Sequence, residues 1–208
     1  MPFVIGIAGW KDSGKTTLCG KLVELLLLKG LKVGFIKHTE KFICPKENAD
    51  SNTLCDVLGE SVLWGEDGWV YTHKKAVSSL KEIVSRMYPG YDVVILEGGK
   101  RFPLPKVWVK SATPPEGVPG IIAYYGEGAQ EETLPNFLPG QEKALADFIA
   151  DMAGKNASRI EVYVNGKRFP IKKFVGEFIE GAIRGMFSSL KQRPEDAENI
   201  NIFLRGKK

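Results

Sequence analysis

Little in the sequence would mark a secreted, membrane or metal-cluster protein. There are three cysteines in 208 residues, Cys19, Cys44 and Cys55. None stands in a C-x-x-C pair or another metal-ligand spacing, so no metal-binding motif is read from them. An odd thiol count with no framework points to a reducing cytoplasm rather than a disulfide scaffold. The two histidines, His38 and His73, are isolated from the cysteines and from each other. Long apolar runs are missing too. Stretches such as Leu25-Leu26-Leu27-Leu28 fall far short of the ~20 residues that cross a bilayer. No segment joins a charged start, an apolar centre and a cleavage site, so no secretory signal is read. The expectation is a soluble, cytoplasmic protein with no membrane partner. Charge of one sign is also scarce. Lys and Arg number 29 against 25 Asp and Glu, leaving a dispersed net +4. That balance demands no nucleic acid, and phosphorylated ligands would account for some of the basic excess.

What is present begins at Gly9-Trp10-Lys11-Asp12-Ser13-Gly14-Lys15-Thr16. This is G-x-x-x-x-G-K-[ST], the Walker A phosphate-binding loop. Glycines let backbone N–H groups turn toward phosphate oxygens. Lys15 supplies a positive charge to the β- and γ-phosphates, and the Thr16 hydroxyl is a Mg²⁺ ligand. The context fits. Phe3-Val4-Ile5-Gly6-Ile7-Ala8 suits a buried parallel strand. Residues 17–29 carry Leu18, Leu22, Val23 and Leu25 to Leu28 with no proline. They predict a helix whose N-terminus faces the phosphates. Gly9, Lys11, Asp12, Ser13, Gly14, Lys15, Thr16 and Thr17 are therefore the candidate nucleotide contacts.

Further candidates follow at strand ends, where open α/β sheets bind ligands. Lys32-Val33-Gly34-Phe35-Ile36 predicts a second strand, with Lys37 and His38 at its carboxyl end. They suit phosphate or partner contact, or simple solvation. Asp50-Ser51 predicts a helix N-cap. The sharper alternative has Asp50 reaching the metal or a catalytic water. Residues 61–72 predict a hairpin about Gly65-Glu66-Asp67-Gly68, with Trp64 and Trp69 expected in the core. Val77, Leu80, Ile83, Val84 and Met87 recur at helical spacing. Val93-Val94-Ile95-Leu96-Glu97 then reads as an apolar strand ending in a carboxylate, the Walker B pattern. Glu97 is taken as the second metal-site residue beside Thr16. Asp92 opens the same strand and so lies at the wrong end.

Strands at 106–110 and 120–125, an acidic loop at 126–139 and an amphipathic helix at 141–153 complete a nucleotide-binding domain over 1–154. Past 154–158 the style changes. Ile160-Glu161-Val162-Tyr163-Val164, an Asn165-Gly166 turn and Lys167-Arg168-Phe169 predict a hairpin. Apolar residues from Phe174 to Leu190 predict a long helix, and 199–204 a closing strand. Residues 159–208 thus form a small α+β module, too small to stand without docking on something. Its helix stripe is expected to be buried against the first domain or a second copy.

These stretches in order resemble the molybdopterin-guanine dinucleotide biosynthesis adaptor family, MobB. The resemblance rests on the loop through Thr17, Lys37-His38, Asp50-Ser51, Leu96-Glu97-Gly98 with Lys100, and Pro105-Lys106. Leu134-Pro135 and Ala146-Asp147-Phe148-Ile149 extend it, so that it covers roughly residues 3 to 153. It implies a three-layer P-loop NTPase fold with a mostly parallel sheet, of the dimerising type. It also implies GTP and Mg²⁺ binding with weak hydrolysis, in which Lys15, Glu97 and Asp50 would be catalytic and Lys100 would contact nucleotide. The implied partners are the guanylyltransferase that attaches GMP to molybdopterin, molybdopterin itself or a molybdoenzyme, and a second copy. Two positions depart from the pattern. Gly99 stands where the family usually has an aromatic, and Thr39-Glu40-Lys41-Phe42 replaces acidic and aromatic residues.

Two other functions fit a Walker A loop. A small-molecule kinase would need an arginine-rich lid, and between Gly98 and Gly140 the one arginine is Arg101. A metal-delivery GTPase would carry the Cys and His clusters that are missing. No N-K-x-D guanine-reading sequence occurs either, so the guanine preference comes from the resemblance.

Overall fold

The computed structural model describes residues 1–41, 55–74, 79–109, 114–127, 133–156, 160–164 and 167–191, with Ile200 and Ile202. Its first strand, β1 (Phe3–Gly9), is apolar on both faces and buried at almost every position. Such a strand must lie inside a sheet covered on both sides. It leads through the glycine loop into α1 (Lys15–Leu28) and β2 (Val33–Lys37). A separate hairpin follows, β3 (Glu60–Gly65) and β4 (Gly68–His73), then α2 (Leu80–Met87) and β5 (Val93–Glu97). The chain adds β6 (Lys106–Val109), β7 (Ile121–Tyr125), the two-residue β8 (Asn136–Phe137) and α3 (Glu142–Asn156). The C-terminal part contributes β9 (Val162–Val164), β10 (Lys167–Phe169) and α4 (Lys173–Ser188).

Six strands form one sheet in the order β2-β5-β1-β6-β7-β8. Every pairing is parallel, so all the carboxyl ends lie along one edge. The crossover from β1 through α1 to β2 skips one position, and β5 fills it. Lys37 and Ile7 therefore both lie level with Glu97 in register.

Helices α1 and α3 cover one face through Leu18, Leu22, Leu26, Leu145 and Ile149 against Ile5, Ile7 and Ile95. Each fully buried Leu or Ile contributes about 1.5–3 kcal/mol. The opposite parity is equally sealed. Val94 and Leu96 are fully buried, and Ala8, Trp108 and Tyr124 pack with Val118, Ile121 and Leu134. A Cβ at Gly34 would meet the Tyr88 ring at 2.4 Å, which places the end of α2 on this second face. Helix, sheet, and helix with loops make the three layers.

Lys106 is the one fully buried cation among the described residues. Its ammonium donates to the Phe102 carbonyl at 2.7 Å and to the Pro119 carbonyl. Those bonds pin the loops on either side of β6.

Two expectations need correction. Trp64 and Trp69 are not core residues but 85% and 63% exposed. Their hairpin is a two-stranded sheet of its own, with no second layer beneath the Trp64–Trp69 pair among the described residues. The acidic stretch before α3 is not wholly loop, because Asn136–Phe137 pairs with β7. Within the described residues of this chain, the α4 stripe expected to bury against the first domain or a second copy is covered on one side. Gly176 packs against Ile160 and Ile171, while Phe174 and Phe178 are 76% and 69% exposed. Helix α3 runs through Gly154 to Asn156. Residues 157–159, the Asn165-Gly166 turn and most of the predicted closing strand lie outside the described residues. No helix among the described residues is long and apolar enough to cross a membrane.

One polar contact joins α1, β7 and α3. Glu142 Oε1 accepts from Lys21 Nζ and from the Tyr125 hydroxyl, each at 2.7 Å. Lys21, then Tyr125, hold the carboxyl down from 4.5 to about 2. A depressed carboxylate stabilises the fold above its unfolded value and loses that contribution as pH falls through the folded one. Urea unfolding of the wild type should therefore show a loss of stability between about pH 4.5 and 2. Glu142→Gln should flatten that limb; an unchanged acid limb would remove Glu142 from the account.

Candidate functional site

The loop after β1 is shaped by its close approach to the next strand. A Cβ at Gly9 would lie 2.7 Å from the Val109 carbonyl and 2.9 Å from Ser13 Oγ. Asp12 and Gly14 adopt left-handed backbone, with φ of 57° and 86°. These turns bring the chain into α1 at Lys15. That helix has no side-chain N-cap and no acidic residue in its first turn. Its leading N–H groups, orphaned by helix geometry, form an anion site with the positive end of the dipole behind them.

Lys15 Nζ donates to the Trp10 carbonyl and, at 3.3 Å, to Ser13 Oγ, inside its own loop. Burial lowers its pKa, the Glu97 carboxylate opposes that shift, and the Lys100 ammonium adds to it. Lys100 itself lies 4.5 Å from the Trp10 ring centroid and 6.0 Å from that of Trp108. The two indoles meet edge to face at 6.2 Å.

Glu97 ends β5 beside both β1 and β2 and is 6% exposed. Its Oε1 accepts from Thr16 Oγ1 at 2.9 Å and pairs with Lys37 Nζ at 3.0 Å. Its Oε2 finds no hydrogen-bond donor among the described residues. His38 is tied in through its backbone, whose N–H donates to the Glu97 carbonyl at 2.9 Å. The imidazole lies edge to face on Phe102 at 4.9 Å. Behind the cluster, burial first and Glu97 second push the Cys19 thiol up to about 12, so it stays protonated.

Thus Lys15, Thr16, Lys37, Glu97 and Lys100 converge at the carboxyl edge of the sheet. Lys11, Asp12 and Thr17 are exposed on the loop and first turn. Asp50 lies outside the described residues. Sequence reasoning missed Trp10, Trp108 and Phe102 as neighbours of the site. Trp10 was visible inside the motif, but nothing local placed Lys100 over it.

Comparison with known proteins shows the family and the fold. The family model for molybdopterin guanine dinucleotide synthesis protein B, MobB, matches residues 4–119. The chain belongs to the MobB family. Residues 4–119 take in β1 through β6, and hence every lysine and carboxylate of the cluster, whereas α3 and α4 lie beyond them. A molybdopterin-guanine dinucleotide biosynthesis adapter protein from Haemophilus influenzae is 30% identical over 125 residues, 58% of this chain and 70% of that one. Its Escherichia coli counterpart is 28% identical over 110 residues, 50% of this chain and 63% of that one. The fold matches crystal structures of MobB from Bacillus subtilis, at a TM-score of 0.56 and 22% identity, covering 73% of this chain and 97% of that one. A MobB homolog from Bacillus stearothermophilus gives 0.54 and 20%, with 73% and 98% covered. About a quarter of this MobB family member therefore lies outside the shared fold.

The loop geometry sets a stability test. Gly9→Ala pushes a methyl into the Val109 carbonyl and Ser13, and should cost about 1–3 kcal/mol in urea unfolding. Gly20→Ala, in α1 with open space around it, should instead stabilise by up to about 1 kcal/mol. Equal effects at the two positions would contradict the close approach at Gly9.

Proposed function

We propose that this chain binds GTP with Mg²⁺ at the 9–17 loop and serves as an adaptor in molybdenum cofactor biosynthesis. The observation that carries the nucleotide reading is the cluster at the mouth of α1. Lys37 pairs with the Glu97 carboxylate, Lys15 interacts with the same carboxylate, and the Lys100 ammonium lies near Lys15 over the Trp10 ring. Like charges gathered this closely suit a polyanion delivered to uncapped N–H groups. Triphosphate oxygens meet that requirement. The adaptor role follows from family membership and from the names of the relatives. Guanine as the base rests on the same footing.

The residues also fit a magnesium ion. Glu97 keeps a buried oxygen with no donor among the described residues, and the Thr16 hydroxyl bonds to the other oxygen. Among the described residues no three Asp, Glu, His or Cys side chains gather into a metal cage. Magnesium is usually held by one or two protein oxygens plus phosphates and water, which matches this sparse set. The ion would neutralise phosphate charge. Lys15 would bind and orient the β- and γ-phosphates.

Hydrolysis is read as slow, with molybdopterin guanylyltransferase as the partner and a homodimer as the assembly. The exposed Trp64–Trp69 hairpin and the open side of α4 are surfaces that such partners could cover.

Calorimetric titration tests the binding. Lys15→Ala should weaken GTP affinity roughly ten- to a hundredfold, the worth of a charge-assisted contact. Thr16→Ala should reduce the Mg²⁺-dependent part. Unchanged affinity in Lys15→Ala would remove the loop from the argument. Turnover by the isolated protein should be slow, because a missing arginine finger forgoes about 10³–10⁵ in rate. Several turnovers per second in a phosphate-release assay would favour a kinase or ATPase instead.

A further inference from the structure

Glu97 is fixed while its neighbour Lys37 is not. The carboxylate side chain is 7% exposed and held by Thr16 from α1. Lys37 reaches the same oxygen, Oε1, from the end of β2, yet its side chain is 58% exposed. The lysine can swing away with no change in backbone. The glutamate cannot follow it, because β5 is buried along its whole length.

This arrangement bears on a divalent cation. The ammonium at 3.0 Å already neutralises the carboxylate that the cation would use. An arriving ion also meets a like charge beside that carboxylate. No other acidic cluster among the described residues offsets that repulsion. Triphosphate changes the balance. It brings several anionic oxygens to the same edge of the sheet, and charge-assisted contacts to them compete well with a single carboxylate.

We propose that Lys37 is a competing counter-ion for the metal position. It shields Glu97 from free divalent cations and releases it when a polyphosphate draws the ammonium away. The polyphosphate half of this inference rests on the nucleotide reading above. Metal then enters this site together with nucleotide rather than ahead of it, which makes Lys37 a residue that sets binding order.

The test uses Mn²⁺ alone as the probe, its free concentration followed by electron paramagnetic resonance with the full chain. Wild type and Lys37→Arg should bind Mn²⁺ weakly, since both keep the charge. Lys37→Met should bind it about tenfold more tightly, the direction set by removing a like charge. Lys32→Met makes the same charge change at the opposite end of β2 and should behave as wild type. With GTP added, the difference between wild type and Lys37→Met should shrink. The proposal is overturned if Lys37→Met gains no Mn²⁺ affinity, or if Lys32→Met gains as much. It is also overturned if Lys37→Arg gains with Lys37→Met, since loss of one bond geometry would then explain both. If the wild type binds no GTP, the functional reading and the polyphosphate half fall together. The Mn²⁺ ranking of the nucleotide-free proteins still decides the competition at Glu97.

Discussion

The shared carboxylate of Glu97 is the contact on which the rest of the site depends. It lies where three elements end or begin: β5, β2 through Lys37 and α1 through Thr16. The parallel register puts Ile7, Lys37 and Glu97 on one level. A one-residue slip in either pairing would turn Glu97 to the other face of the sheet. Val93 and Ile95 pack in one core and Val94 and Leu96 are fully buried on the opposite parity, so a slip would repack both faces and part Glu97 from Thr16 and Lys37. The electrostatics of the site thus inherit their precision from apolar packing.

Around that contact the protein gathers more positive charge than it neutralises. Lys15 is satisfied by the carbonyl and hydroxyl of its own loop. Lys100 is held by two indole faces, an interaction worth about 0.5–2 kcal/mol. These are weaker partners than a phosphate oxygen, so the cations are positioned without being committed. The loop after β5 is tied to the loop after β2 by the His38–Phe102 contact, and to the glycine loop by Lys100 on Trp10. All three strand-end loops consequently share contacts, and a ligand that moves one bears on the others.

Outside this centre the structure is less self-sufficient. The β3–β4 hairpin stands as its own two-stranded sheet with Val62, Leu63, Trp64, Trp69 and Val70 exposed. An isolated hairpin of this kind is marginal in water. Here Glu60 braces it, accepting from Tyr71 and pairing with Arg86 of α2. In the C-terminal part the Met1 ammonium pairs with Glu161, while Gly176 packs on Ile160 of the same part. On its helix Phe174, Phe178 and Met186 are exposed among the described residues.

The glycine loop, its flanking strand and helix, and the carboxylate-ending strand were legible in the sequence. Their signals are local: fixed spacing, unbroken apolar runs, and turn residues with one conformational job. The family followed from the same short stretches in order. Glu97 beside Thr16 was readable from the two motifs, but its pairing with Lys37 was not, because that pairing depends on strand order, with β5 inserted between β1 and β2. Nor was the seat of Lys100 on Trp10, which joins residues 90 positions apart. The tryptophans of the hairpin show the converse. Alternation in a strand says which residues share a face. Whether a second layer covers that face is decided by tertiary packing, because burial depends on what other parts of the chain bring to it.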